Sequence, residues 1–382
     1  MSECDSRINF GMYSRVGQAK RTRPEAFSAN GERTIRNNSQ RPWSKLAPAV
    51  AWVGVLFLNV WAVAALYFDF PFERLRIPSA IAYAAVVASA MFFARGSGWR
   101  LAICFGGFAL VLAWWLSLKP SNDRAWQADV AQTPWAEVNG GIVTIHNYRD
   151  CVSPAEFGDT CRWVTKTVRL SDLRGVDVAL VHWGLPMIAH LIVSFHFAND
   201  DYIAVSVEMR KQIGQSYSSI RGFFRQYTLI YIFAGERDLI RLRSNFRQGE
   251  EVDLYRTTAD ADYSRKLFLQ YVRRANQLHE QPEWYNALTS NCTTNVFSEM
   301  EAIGPLPAGI SRIDPRVLLS GEADKMLYDH GLLAGNLTFV KLREQSRVNP
   351  AARAAGDAPD FSRLIRAGRS GFEPASGEPT TH

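Results

Sequence analysis

Residues 46–68 contain no charged side chain, and little but a membrane span accounts for so long a run in an otherwise ordinary chain. At about 1.5 Å per helical residue, such a run reaches across a hydrocarbon core of ~30 Å. Two shorter apolar segments follow, at 79–94 and 101–118. The competing reading is a cleaved signal peptide followed by buried helices. A signal peptide begins near the chain start and is not trailed by two more apolar segments, so three spans over 46–118 is the better expectation.

Loop charges give the expected orientation. Before the first span, Arg7, Arg15, Lys20, Arg21, Arg23, Arg33, Arg36, Arg41 and Lys45 outnumber Glu3, Asp5, Glu25 and Glu32. The loop at 69–78 is balanced, whereas the next carries Arg95 and Arg100 with no acid. The positive-inside rule then puts residues 1–45 in the cytoplasm and everything beyond Trp114, Trp115 and Lys119 outside. The expected location is a bacterial inner (cytoplasmic) membrane, multi-pass, with a periplasmic C-terminal domain. No nucleic-acid-binding motif accompanies the basic flank, so it reads as a topology signal or an anionic-lipid contact.

Of the cysteines Cys4, Cys104, Cys151, Cys161 and Cys292, none form a Cys-x-x-Cys pair, and no metal site or cofactor is expected. In an oxidising compartment Cys151 and Cys161 can form a disulfide, the alternative being two free buried thiols.

The exported part reads as α+β. Strands are expected at 142–148, 162–170, 176–183, 188–197, 202–208, 228–233 and 239–242. Asn199, Asp200 and Asp201 give turn chemistry for a hairpin between the fourth and fifth. Tyr263, Leu267, Phe268, Tyr271 and Val272 make an apolar stripe on a helix at 259–279. A second helix starts near Cys292 and ends at Gly304. The expected organisation is a basic segment at 1–45, spans at 46–118, a globular domain at 119–345 and a partly disordered tail at 346–382.

Cys292 is the candidate nucleophile. In the run Asn291, Cys292, Thr293, Thr294 it stands where a turn becomes a helix, and the helix dipole and free N–H groups there favour a thiolate. A buried inert cysteine or a glycosylation sequon fits the same residues. A thiol nucleophile needs a base, and His190 and His196 share one strand face, with His182 nearby. Glu208 is the candidate to orient His190. With a three-residue turn at 199–201, Ala198 pairs with Tyr202 and Ile192 with Glu208, which leaves Glu208 diagonal to His190 on one face. A two-residue turn would put it on the other face.

Several motifs in one order resemble the DUF4105 family, also described as the Lnb N-terminal periplasmic domain. They are the run from Trp183 to His190, then Ser206, Val207 and Glu208, the run from Gly214 to Ser218, Phe224 to Tyr227, Glu236 to Asp238, and Tyr285 to Thr294. The resemblance covers about residues 120–345. The order His, Glu, Cys is also similar to permuted papain-like enzymes, among them NlpC/P60 relatives and the lecithin:retinol acyltransferase group. It implies a permuted papain-like domain with an antiparallel sheet, Cys292 as nucleophile, His190 as base and Glu208 as orienting group. Asn291, Tyr217 and Arg225 are candidate substrate-binding residues; Arg225, Arg237 and Arg241 can equally brace the fold through Glu236 and Asp238.

Members of that family resemble lipoprotein N-acyltransferases. The implied function is therefore a membrane-anchored thiol acyltransferase, with a phospholipid as acyl donor and a lipoprotein as acceptor. The alternatives are a cysteine peptidase or amidase of the cell envelope, and a non-catalytic envelope binding protein.

Overall fold

A computed structural model describes residues 43–151, 161–184, 187–311, 314–318 and 320–372. The chain divides into two compact units, Met1–Trp52 and Val53–His382. Of the first, only the opening of a helix falls among the described residues. Most of the basic segment expected at 1–45, with Cys4, lies outside them, as do Leu185 and Pro186.

Helices α1 (Trp43–Asp69), α2 (Glu73–Phe93) and α3 (Ser97–Ser117) come first. Among the described residues these are three helices long and apolar enough to cross a membrane, over Pro48–Asp69, Glu73–Phe93 and Ser97–Ser117. Their exposed side chains, such as Leu56, Phe57, Val60, Ile81 and Leu110, are apolar. A helix bundle in water would turn polar residues outward there. Inside, Tyr83 donates to Asn59 at 2.7 Å and Asn59 donates to the Val55 carbonyl at 2.8 Å, so the buried amide is satisfied.

The rest is α+β. Strands β1 (Trp135–Asn139), β2 (Ile142–Arg149), β3 (Trp163–Arg169), β4 (Leu173–His182), β5 (Ala189–Phe197), β6 (Asp201–Arg210), β7 (Thr228–Ala234) and β8 (Glu251–Arg256) form one sheet. Its order is β1-β2-β7-β6-β5-β4-β8, with β3 against the other edge of β2. The sheet is mixed rather than antiparallel as expected, because β2 meets β7 in parallel at Arg149 and Ala234. β1 and β8 were not anticipated. Conversely, 239–242 is no strand: α4 (Glu236–Arg241) and a π-turn (Leu242–Phe246) occupy it.

One face of the sheet packs against α5 (Ala261–Glu280) and α6 (Cys292–Ile303). Leu191, Val193, Phe195 and Phe197 of β5 meet Leu267, Phe268, Tyr271 and Val272 there, the residues of the helical stripe. Asp260 caps α5 by accepting from the Tyr263 N–H at 2.7 Å.

After α6 come the short helices α7 (Pro315–Leu318), α8 (Ala323–Asp329), α9 (Phe339–Ser346), α10 (Asn349–Ala355) and α11 (Phe361–Leu364). The opposite sheet face, with Val181, Ile192, Ala204 and Ile232, is covered by Leu239 and Ile240 of α4 and by Val348, Ala352, Phe361 and Ile365. Residues 346–372 of the tail expected to be partly disordered are thus a layer of the domain, and 373–382 lie outside the described residues. Each large apolar side chain buried there contributes about 1.5–3 kcal/mol. Arg366 closes that layer, bonding Asp177 on β4 at 2.8 Å and Glu236 on α4 at 2.6 Å.

Candidate functional site

The hairpin of β5 and β6 sets the site. Its connection is the three residues 198–200, with Asn199 and Asp200 at φ 61° and 54°, a left-handed conformation that Asn and Asp tolerate. The turn has the expected length but sits one residue earlier than expected, so Phe197 rather than Ala198 opens the ladder, opposite Asp201. The register moves by two and parity survives. Ile192 pairs with Ser206 and not with Glu208, and that register continued puts Glu208 directly opposite His190 rather than diagonal to it.

Beyond Ile192 and Ser206 the two strands part. β5 stays with β4 as far as Ala189, while β6 stays with β7 as far as Arg210. His190 lies at this opening, buried, with Nε2 at 2.6 Å from the Ser206 hydroxyl and 3.3 Å from Glu208 Oε1. Ser206 donates to the same carboxylate oxygen at 2.7 Å, and Arg243 donates to it at 2.7 Å. Ser206 stood in the sequence two residues before Glu208, on the same face, which was the signal for it. Arg243 had none: it lies in the π-turn, one residue past the strand expected at 239–242.

Cys292 is the first residue of α6. Asn291 accepts from the Thr294 N–H at 2.9 Å, and Thr294 Oγ1 accepts from the Asn291 N–H at 2.9 Å. This reciprocal capping box fixes where the helix starts and so where the thiol stands. Asn291 also donates to the Ala287 carbonyl at 3.0 Å, so its amide is engaged in shaping the turn.

Electrostatics couple the thiol to the histidine. Burial pushes the Cys292 thiol up, but the His190 charge and hydrogen bond, with the Leu191 N–H, outweigh it and hold the thiol below its ordinary value. Burial and the Arg243 guanidinium push His190 down; Glu208 and Cys292 overcome them, and the imidazole is pushed up to about 9. Burial alone would raise Glu208, yet His190 and Arg243 hold it well below the usual carboxylate range. All three shifts lean toward the charged forms, thiolate, imidazolium and carboxylate.

A cleft of about 510 Å³ opens over this group. Val130, Trp183, Ile188, Val207, Leu242 and Tyr285 give it apolar walls, and Lys211, Arg243 and Arg247, with Asp129, Glu208 and Glu250, a charged side. Tyr217 and Asn291 line it. Arg225 does not; it donates to the carbonyls of Leu116, at 3.3 Å, and Leu118, and lies 4.2 Å from the Trp115 ring centroid. As a substrate-binding expectation Arg225 is therefore corrected: its guanidinium is committed to the end of α3. Arg237 and Arg241 both pair with Asp357, while Glu236 pairs with Arg366 and Asp238 with Arg149.

The other sequence candidates lie apart. His182 is 3.5 Å from Asp253 at the β8 side of the sheet. His196 stacks on Tyr202, and burial with the nearby Arg256 and Arg366 pushes it down to about 4. Cys151 and Cys161 are joined by a disulfide, with Cα atoms 5.3 Å apart. Among the described residues no group of His, Cys, Asp and Glu could hold a metal ion.

These features define a class: an α+β domain, following three apolar helices, with a cysteine and a histidine meeting where two strands of its sheet separate. Residues 159–321 match the family model of the Lnb N-terminal periplasmic domain, which supports that family for this part of the chain. The match spans His190, Ser206, Glu208, Arg243 and Cys292. With the three apolar helices, it supports an envelope-associated membrane protein carrying a periplasmic domain. No curated protein and no solved structure matches the chain.

Proposed function

We propose that the chain is a thiol acyltransferase of the inner membrane, spanning it three times and working on lipid substrates from the periplasmic side. The observation that carries the reading is the coupling of Cys292 to His190 in a largely apolar cleft, whose wall at Phe223 adjoins residues bonded to the ends of α1 and α3. In the first half-reaction the Cys292 thiolate attacks a lipid ester carbonyl. The S–C bond forms, the ester C–O bond breaks, and the His190 imidazolium gives its proton to the departing alcohol. In the second, an amine attacks the thioester; the N–C bond forms, the C–S bond breaks, and His190 takes the amine proton. The Thr294 and Asn295 N–H groups are taken by Asn291, so in this reading the oxyanion of both tetrahedral intermediates would be stabilised by the Cys292 and Thr293 N–H groups that open α6.

Nε2 of His190 is engaged by Ser206 and Glu208, which leaves Nδ1 for the thiol. The permuted papain-like ancestry implied by the sequence motifs is consistent with this arrangement, and a lipoprotein N-terminal amine is the acceptor that the family resemblance suggests. The test is mass spectrometry of the purified full-length protein after incubation with phospholipid. An acyl adduct on Cys292, absent from Cys292→Ala, is expected. No adduct with phospholipid, but turnover of a labelled peptidoglycan peptide offered beside it, would replace this reading with an envelope peptidase or amidase.

A further inference from the structure

Between β6 and β7 the chain carries unusually exposed apolar side chains: Ile213 at 71%, Tyr217 at 51%, Ile220 at 63% and Phe223 at 44%. Leu288, at 52%, joins them from the turn before α6. That turn is locked to the segment, because the Ala287 N–H donates to the Gly222 carbonyl at 2.8 Å. A Cβ on Gly222 would sit 3.0 Å from that of Ala287, so any larger residue there would press the two segments apart by a few tenths of an ångström. Tyr217, Phe223 and Leu288 line the Cys292 cleft. Single exposed apolar residues are ordinary, but several gathered around one cleft mark an interaction surface.

The same segment is tied to the ends of the spans. Phe224 packs into the cluster of Ala62, Ala65, Leu66 and Val111, its ring centroid 4.8 Å from that of Phe68. Gln226 donates to the Phe68 carbonyl at 2.7 Å and to Asp69 at 2.6 Å. Arg225 lies over Trp115, and both Arg225 and Arg124 approach the Trp284 ring, at 5.9 and 5.5 Å from its centroid. Tryptophan with basic residues at the end of an apolar helix is the composition of a membrane–water interface. The exposed segment therefore starts at the level where the apolar spans stop.

We infer that residues 213–224, with Leu288, form a lip that dips into the outer leaflet at the headgroup–acyl boundary and opens the cleft toward lipid. Its occupant is the bilayer itself. Insertion stands on exposure and tethering alone; the consequence, that acyl chains reach Cys292 along this lip, rests on the function proposed above.

The test uses the full chain in bilayer discs of phosphatidylethanolamine and phosphatidylglycerol, with Cys4→Ser, Cys104→Ala and Cys292→Ser as background. An environment-sensitive dye is attached through Ile220→Cys, or through Val340→Cys in the exposed face of α9 as a control. At position 220, blue-shifted emission, quenching by lipids carrying a nitroxide high on the acyl chain and protection from aqueous iodide are expected. At position 340 the opposite pattern is expected. Iodide quenching at 220 equal to that at 340 would overturn the inference. So would protection from both quenchers, which would mean that protein covers the lip. In an otherwise unaltered chain, Ile220→Asp should slow acylation of Cys292 by bilayer lipid roughly tenfold while leaving acylation by a short-chain, water-soluble phospholipid unchanged. Equal slowing with both lipids would deny the lip a role in delivery. If no lipid ever acylates Cys292, the proposed function fails while the quenching result still decides insertion.

Discussion

Nε2 of His190 lies 2.6 Å from the Ser206 hydroxyl, and that hydroxyl passes the contact on to Glu208 at 2.7 Å. The imidazole is thus held by the carboxylate both directly and through a hydroxyl, and Arg243 donates to the same carboxylate oxygen. This fixes the ring orientation and keeps Nε2 as a donor. Hydrogen bonds to charged groups contribute about 1.5–3 kcal/mol, so Ser206→Ala should slow acyl-enzyme formation roughly 10–100-fold. A merely structural serine would leave the pH dependence untouched. Measured as the rate of iodoacetamide capture of Cys292 against pH, Ser206→Ala should shift the profile upward. An unshifted profile at the wild-type rate would remove Ser206 from the arrangement.

The coupled pair makes a second prediction. Cys292 is held below its ordinary value, chiefly by His190 against the opposing effect of burial, so its alkylation should reach half-maximal rate below pH 9. Glu208→Gln removes a main support of the His190 charge, so the half-maximal point should move toward that of an ordinary thiol. If Glu208→Gln leaves the profile in place, the carboxylate does not support the ion pair.

The same groups link stability to pH. The folded His190 titrates at about 9, above the ordinary 6.5, so protonation favours the folded state. Its contribution is fully present below pH 6.5 and is lost as pH rises through about 9. Thermal unfolding followed across that range should show a fall in midpoint that is smaller in Glu208→Gln. A parallel fall in both proteins would assign the loss to other groups.

Much of this was legible locally. Uncharged length exposed the spans, Asn199 and Asp200 exposed the hairpin, and Asn291 with Thr294 marked where α6 begins. Parity along β5 and β6 put Glu208 on the face of His190 even though the register was off by two, because moving a three-residue turn by one place preserves parity. What stayed hidden is non-local. Leu239, Ile240 and Leu242 form a short apolar run that periodicity alone cannot assign to strand or helix, and this concealed Arg243. The alanine- and arginine-rich end looked unable to form a core. Its partners are 189 residues away in sequence for Arg366 and Asp177, and local composition carries no trace of them.

That long-range contact gives the last prediction. Arg366 is buried, bonds Asp177 through Nε at 2.9 Å and Glu236 through Nη1 at 2.7 Å, and lies 3.7 Å from the Tyr202 ring centroid. Asp177 keeps a second cationic partner in Arg256, at 2.6 Å, but Glu236 is left with neutral hydroxyls, Ser194 at 2.5 Å and Ser362. Removing one member of a buried ion pair costs about 3–5 kcal/mol, because the other charge stays buried. Arg366→Leu should therefore lower the unfolding free energy of the domain by that order in denaturant titrations of the micelle-bound protein. Adding Glu236→Gln to Arg366→Leu removes the stranded charge and should restore a good part of the loss. A change within about 0.5 kcal/mol for Arg366→Leu alone is the behaviour of a surface site, and would show that the C-terminal layer does not hold this sheet face closed.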